Sequence, residues 1–172
     1  MAILPVRKYP DPVLKEPGEL VKDFNSDLHK LLDDMAETMY YESGIGLAAP
    51  QVGVTQRITV IDVSPDEDQI IELINPEITA RAGKIDSEEG CLSIPEFRDK
   101  VTRNETVTVS ALDRNGESFE LEAEGLLAIC LQHEIDHLDG ILFIDRLSRL
   151  KRELFKRWLK KRGPFEEDLS DS

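Results

Sequence analysis

Residues 126–138, Leu-Leu-Ala-Ile-Cys-Leu-Gln-His-Glu-Ile-Asp-His-Leu, constrain this chain more than any other stretch. The run from Gly125 to Asp139 reads as one helix, with Gly140 placed to end it. Its first half is apolar nearly all round, so the helix belongs in an interior. Its second half nonetheless carries His133, Glu134, Asp136 and His137. Two imidazoles and two carboxylates inside a core cost about several kcal/mol unless they are partnered. The rest of the fold must wrap this helix and supply the partners.

His133-Glu134-Ile135-Asp136-His137 is a His-Glu-x-x-His pattern. On a helix, positions i and i+4 share one face, a turn apart. Both rings can then reach one cation, with Glu134 beside them to take a proton from water that the cation acidifies. That arrangement suits hydrolysis, and it calls for a third ligand. Phe143 stands where one zincin family carries its third histidine, and Glu153 lies in a basic segment. His29 sits on an early helix and is expected to face solvent. Cys130 shares the helical stripe, but ligands at 130, 133 and 137 would span about ten ångströms of axis. Cys130 therefore reads as a packed apolar residue near the site. Cys91 follows Glu89-Gly90, a flexible point between strands, and can approach the helix from outside.

The remaining pattern predicts an α+β fold, with helices against mainly antiparallel sheet. Pro10, Pro12 and Pro17 make the start an irregular lead-in with one short turn of helix. Leu28, Leu31, Leu32, Met35 and Met39 predict a helix from Asn25 to about Tyr41. Arg57 to Val63 reads as a buried strand, and Ile70 to Ile74 as another that Asn75-Pro76 stops. Val101 to Leu112 reads as strand-rich, turning at Asn115-Gly116 into Phe119, Leu121 and Ala123. Arg146 to Lys161 reads as a final amphipathic helix. At 172 residues, without repeats or a dividing linker, the chain reads as a single domain over 1–172.

Two cysteines are too few for a disulfide framework and point to a reducing compartment or to a metal or catalytic role. The first ten residues lack the pattern of a secretion signal, and no stretch approaches the ~20 apolar residues that cross a bilayer. A soluble, cytoplasmic protein with no membrane partner is expected. A net charge of −14 argues against wholesale nucleic-acid binding, DNA included. The charge is uneven, however. Residues 146–162 hold nine basic residues against Glu153 alone, and 163–172 hold four acids and no base. The latter reads as a flexible acidic tail.

Three motifs, in order, carry a resemblance. They are Gly44-Ile45-Gly46-Leu47-Ala48-Ala49-Pro50-Gln51, then Glu89-Gly90-Cys91-Leu92-Ser93, then Gln132-His133-Glu134-Ile135-Asp136-His137. Together they resemble the peptide deformylases, specifically the bacterial type I enzymes, over nearly the whole chain. The resemblance implies an enzyme that removes the N-formyl group from formyl-methionine at the start of new polypeptides, releasing formate. It implies that Cys91, His133 and His137 bind the metal and that Glu134 is the general base and acid. It maps the oxyanion donors to the Gln51 side chain and the Leu92 backbone. It also implies a central metal-binding helix cradled by antiparallel strands, with substrate added as a further strand near Ile45 and Gly46. The methionine pocket falls to Ile45, Leu126, Ile129 and Cys130, although Leu126 reads equally well as plain core. Glu89 is expected to orient a ligand or its loop, with Arg98 as its partner.

One thiolate and two imidazoles suit Zn²⁺, Fe²⁺, Co²⁺ or Ni²⁺. The resemblance implies Fe²⁺ in the cell, one ion per chain. For the basic helix over 146–162 it implies docking on ribosomal RNA, where clustered cations meet phosphate; a solvated face is the plainer reading. Two rivals remain: a zincin-like peptidase, which a cysteine ligand disfavours, and a non-enzymatic metal-stabilised module, which Glu134 beside an open position disfavours.

Overall fold

A computed structural model describes residues 2–165. Residues 166–172, most of the predicted acidic tail, lie outside the described residues. A 3-10 turn at Pro12–Lys15 precedes α1 (Ser26–Tyr41). Asn25 caps that helix by accepting from the Leu28 N–H at 3.0 Å. Then come β1 (Gly46–Ala48), a 3-10 turn (Ala49–Val52), β2 (Ile58–Ile61) and β3 (Ile71–Ala82). β4 (Ile85–Cys91), β5 (Ile94–Arg103), β6 (Thr106–Leu112) and β7 (Ser118–Glu124) follow. The chain closes with α2 (Gly125–Leu138), a 3-10 turn (Phe143–Arg146) and α3 (Arg149–Arg162).

Five strands form one antiparallel sheet in the order β1-β2-β3-β6-β7, and β4-β5 form a separate hairpin. The α+β class stands. β2 explains the continuous apolar run, because helices cover both its faces. Ile58 and Val60 join Leu32, Met35 and Met39 of α1, whereas Ile61 joins Leu131 and Ile135 of α2. A third core gathers Leu14, Ile94, Val101, Phe143 and Phe155, fastening the hairpin to α3. Among the described residues, no helix is long and apolar enough to cross a membrane.

Three expectations change. The strand expected to stop at Asn75-Pro76 runs on to Ala82. A register shift between Ile74 and Glu77 takes Asn75 and Pro76 out of the ladder, so the proline breaks no sheet bond. Asn75, at φ 52°, uses its side chain to accept from the Val21 N–H and donate to the Val21 carbonyl. The stretch from Val101 to Leu112 is two strands in different sheets, parted at Asn104 and Glu105. The polar strand β4 was unread. Its inward positions carry Glu89 and Cys91, which serve the site rather than an apolar core. The last helix also starts later than predicted, at Arg149, because Arg146 belongs to the turn before it.

Candidate metal centre

Every residue of α2 from Ala128 to Leu138 is buried. The helix lies with Leu131 and Ile135 on the large sheet and its polar groups towards the hairpin. Cys91 is the last residue of β4, and the turn Leu92-Ser93 leads into β5. Ligand atoms of Cys91, His133 and His137 all lie within 4.8 Å of one another. His137 Nε2 is 3.2 Å from His133 Nε2 and 3.4 Å from Cys91 Sγ.

Glu89 settles the tautomer of His133. Its Oε1 is 2.9 Å from His133 Nδ1. Burial pushes the Glu89 carboxyl up, but hydrogen bonds from Arg103 and His133 outweigh it and bring the pKa down to about 2. An ionised carboxylate only accepts, so Nδ1 carries the hydrogen and donates. Nε2, the other ring nitrogen, faces His137 and Cys91. Burial disfavours a charged His133 ring, yet bonds to Cys91 and Glu89, with Glu134 nearby, hold its pKa well above the usual histidine value. Burial and the His133 charge push His137 well below it. The three converging donor atoms, one sulfur and two imidazole nitrogens, are a set that suits a divalent cation. His137 Nδ1 is buried with no hydrogen-bond partner among the described residues.

Glu134 Oε1 is also buried without a partner among the described residues. Burial pushes the Glu134 carboxyl up to about 7, with the Glu89 charge adding to the effect. On its other side the carboxylate abuts β1: a Cβ built on Gly46 would stand 2.6 Å from Glu134 Oε2. Gln51, only 1% exposed, is held by its turn. Its Oε1 accepts the Ala48 N–H at 2.9 Å, which aims Nε2 at Ser93 Oγ (3.2 Å) and Cys91 Sγ (3.6 Å).

A cleft of about 580 Å³ opens above these groups. Of the site residues singled out from the sequence, all but His137 line it. Ile45 and Leu126 are 43% and 53% exposed, so Leu126 is rim and not plain core. Ile129 and Cys130 lie deeper, and burial raises the Cys130 thiol well above its usual pKa.

The expected partner of Glu89 was wrong. Arg98 lies exposed at the rim of the cleft, 3.4 Å from Glu88, while Arg103 grips Glu89 through two bonds of 2.8 Å. Strand alternation explains this: Glu88 and Arg98 point outward, and Glu89 and Arg103 point inward. Arg103 also donates to Asp136 at 2.6 Å, and Arg146 holds that carboxylate at 2.7 and 2.9 Å. Arg103 and Arg146 were missed as partners of the site, and Ser93 and Asp136, though named in the sequence, were given no partner there. Arg103 was detectable, since it shares parity with buried Val101. His29, expected in solvent, is half-buried with Nε2 2.7 Å from the Arg114 carbonyl.

The profile described as polypeptide deformylase matches residues 3–153. The chain belongs to that family. A peptide deformylase of Thermodesulfovibrio yellowstonii is 60% identical over 162 residues, covering 93% of this chain and 98% of the relative. One from Acidobacterium capsulatum is 56% identical, covering 94% and 96%. The crystal structure of a peptide deformylase from Legionella pneumophila superposes with a TM-score of 0.88 at 50% identity, covering 92% of this chain and 94% of that one. As a member of the family, the chain is a metal-dependent hydrolase, and Cys91, His133 and His137 are the cluster that could hold the ion.

Proposed function

We propose that Cys91, His133 and His137 hold one divalent ion and that Glu134, Gln51 and Leu92 act around it in deformylation. The reaction follows from the family: the N-formyl group of formyl-methionine at the head of a new polypeptide is hydrolysed to formate and a free amine. The observation that carries the residue roles is the convergence of three soft donors under a cleft, with an unpartnered Glu134 beside the edge strand.

A bound ion supplies acidified water and draws on the formyl oxygen. Everything else falls to the chain. Glu134, with a pKa raised to about 7, takes a proton near neutral pH and returns it to the leaving amine. Gln51 Nε2, fixed by the Ala48 contact, donates to the developing negative oxygen together with the Leu92 N–H. Among the described residues β1 is an edge strand, paired with β2 alone. Its free side receives an extended peptide by backbone pairing at Ile45 and Gly46, which accepts many sequences. Ile45, Leu126, Ile129 and Cys130 wall the methionine side chain, while Glu89 keeps His133 in place.

Fe²⁺ is the ion proposed in the cell, and Zn²⁺, Ni²⁺ or Co²⁺ fit the same donors. The cytoplasm, where new chains emerge, is the proposed location. The exposed side of α3 is proposed to dock on ribosomal RNA. Arg146, Lys151 and Arg162 are bonded to Asp136, Asp99 and Glu96, but Arg152, Arg157, Lys160 and Lys161 face outward.

The test is formate release from a formyl-Met tripeptide by anaerobically purified protein. Release that vanishes in Glu134→Ala at equal metal content supports the assignment. No release from fully loaded wild-type protein overturns it. For docking, reversing Arg152, Arg157, Lys160 and Lys161 to Glu should abolish co-sedimentation with ribosomes, and unchanged co-sedimentation refutes it. Truncating α3 is the poorer test, because Phe155 belongs to the third core.

A further inference from the structure

Deformylation as described leaves Asp136 and two arginines without a task. They are not scattered. From His133 outward the groups run carboxylate, guanidinium, carboxylate, guanidinium: Glu89, Arg103, Asp136, Arg146. Glu89 Oε1 meets His133 Nδ1 and Arg103 Nη2, and Oε2 meets Arg103 Nε. Asp136 Oδ2 takes Arg103 Nη1 and Arg146 Nε, and Oδ1 takes Arg146 Nη2. Glu89, Arg103 and Asp136 are buried, whereas the Arg146 side chain is 45% exposed. The chain of charges thus starts at a ligand ring and ends at the surface.

We infer that Arg146 is a positioning residue for the metal centre, acting through Asp136, Arg103 and Glu89 on the ring of His133. The inference rests on the proposed ligand set. The physical argument concerns competition for Arg103. That guanidinium is divided between two carboxylates, both acceptors only. Arg146 satisfies both oxygens of Asp136 and so lessens its pull on Arg103. Without Arg146, Asp136 Oδ1 loses its partner, and the buried carboxylate draws Arg103 away from Glu89. Loss of the two-pronged grip then frees Glu89, and with it the orientation of His133.

A second contact points the same way. The turn Phe143–Arg146 that delivers Arg146 also lays Phe143 against the His133 ring, centroids 6.1 Å apart and planes 27° apart. One four-residue turn therefore bears on His133 twice, directly through a ring and at a distance through charges. Where another zincin family carries a third histidine ligand, this chain has the residue that steadies an existing one.

The test uses full-length protein loaded with one equivalent of Co²⁺. The readouts are its ligand-field absorption and its release to a chelator. Arg146→Ala should release cobalt about 3–10-fold faster, below the 10–100-fold typical of direct partners of a ligand. It should also shift the absorption band. Arg146→Lys should fall between it and the wild type, because one contact to Asp136 can survive. Arg114→Ala is the control. It removes ion pairs with Asp33 and Glu72, away from α2 and the charge chain, and should leave both readouts alone. Against a Glu89→Gln background, Arg146→Ala should add nothing, since its route passes through Glu89.

Wild-type release from Arg146→Ala would overturn the inference. So would the same fold-increase persisting in the Glu89→Gln background, which marks a merely structural clamp. If Arg146→Ala does not fold, Arg146→Lys is judged on the same terms, alone and with Glu89→Gln. Cys91→Ser separates the underlying reading. Full cobalt retention there removes the ligand set, whereas cobalt loss there with no effect at Arg146 removes only the positioning role.

Discussion

Two helices of equal length treat charge in opposite ways. α2 and α3 each have 14 residues. α2 buries two acids and two histidines, and Glu89, Arg103 and Arg146 give His133 Nδ1 and both Asp136 oxygens a named partner. α3 carries eight cations, and most of them face water. In α2 a misplaced charge costs desolvation, so geometry is specified atom by atom. In α3 water does the solvating, and the helix is held by Phe155 and Trp158 on its other side. The same residue class is therefore structural in one place and replaceable in the other.

That contrast can be broken by substitution. The largest effect is expected at Glu134. Glu134→Ala should lower formate release about 10²–10⁴-fold, the usual worth of a general acid–base group, with metal content retained. Metal content by elemental analysis alongside turnover checks it. Next comes Arg103→Ala, which leaves Glu89 and Asp136 as buried charges and should destabilise the fold by about 3–5 kcal/mol in denaturant titration. Gln51→Ala should cost about 10²–10³ in kcat with a native thermal transition. Smallest is Lys160→Ala on α3, expected within about 0.5 kcal/mol of wild type. A large loss there would erase the distinction between the helices. Salt should sharpen it: moving from about 50 to about 200 mM should weaken the proposed ribosome docking and leave tripeptide turnover nearly unchanged.

Legibility from sequence follows the same divide. α2 was readable because apolar surroundings and ligand spacing coincide in thirteen consecutive residues. Cys91 could be preferred over Cys130 as the candidate third ligand because donors at 130, 133 and 137 would span about ten ångströms of helix axis. Partners across strands were harder. Choosing between Arg98 and Arg103 needed strand parity and register, and β4 shows no apolar alternation to reveal its phase. Arg146 was counted with the basic helix by charge alone. Its position in a turn, facing Asp136, is a tertiary fact that no local pattern announces. Asn75-Pro76 misled for the converse reason: a local strand-breaking signal was absorbed by a bulge.

Gly46 sets a limit on redesign. Its α-carbon faces the Glu134 carboxylate so closely that even an alanine methyl would collide with it, and Cys130 Sγ would be only 3.0 Å away. Ile45 and Leu126, by contrast, stand at an open rim. If the proposed pocket holds the first residue, an engineer would vary positions 45 and 126 to change what is accepted, whereas any side chain at 46 would displace the Glu134 carboxylate.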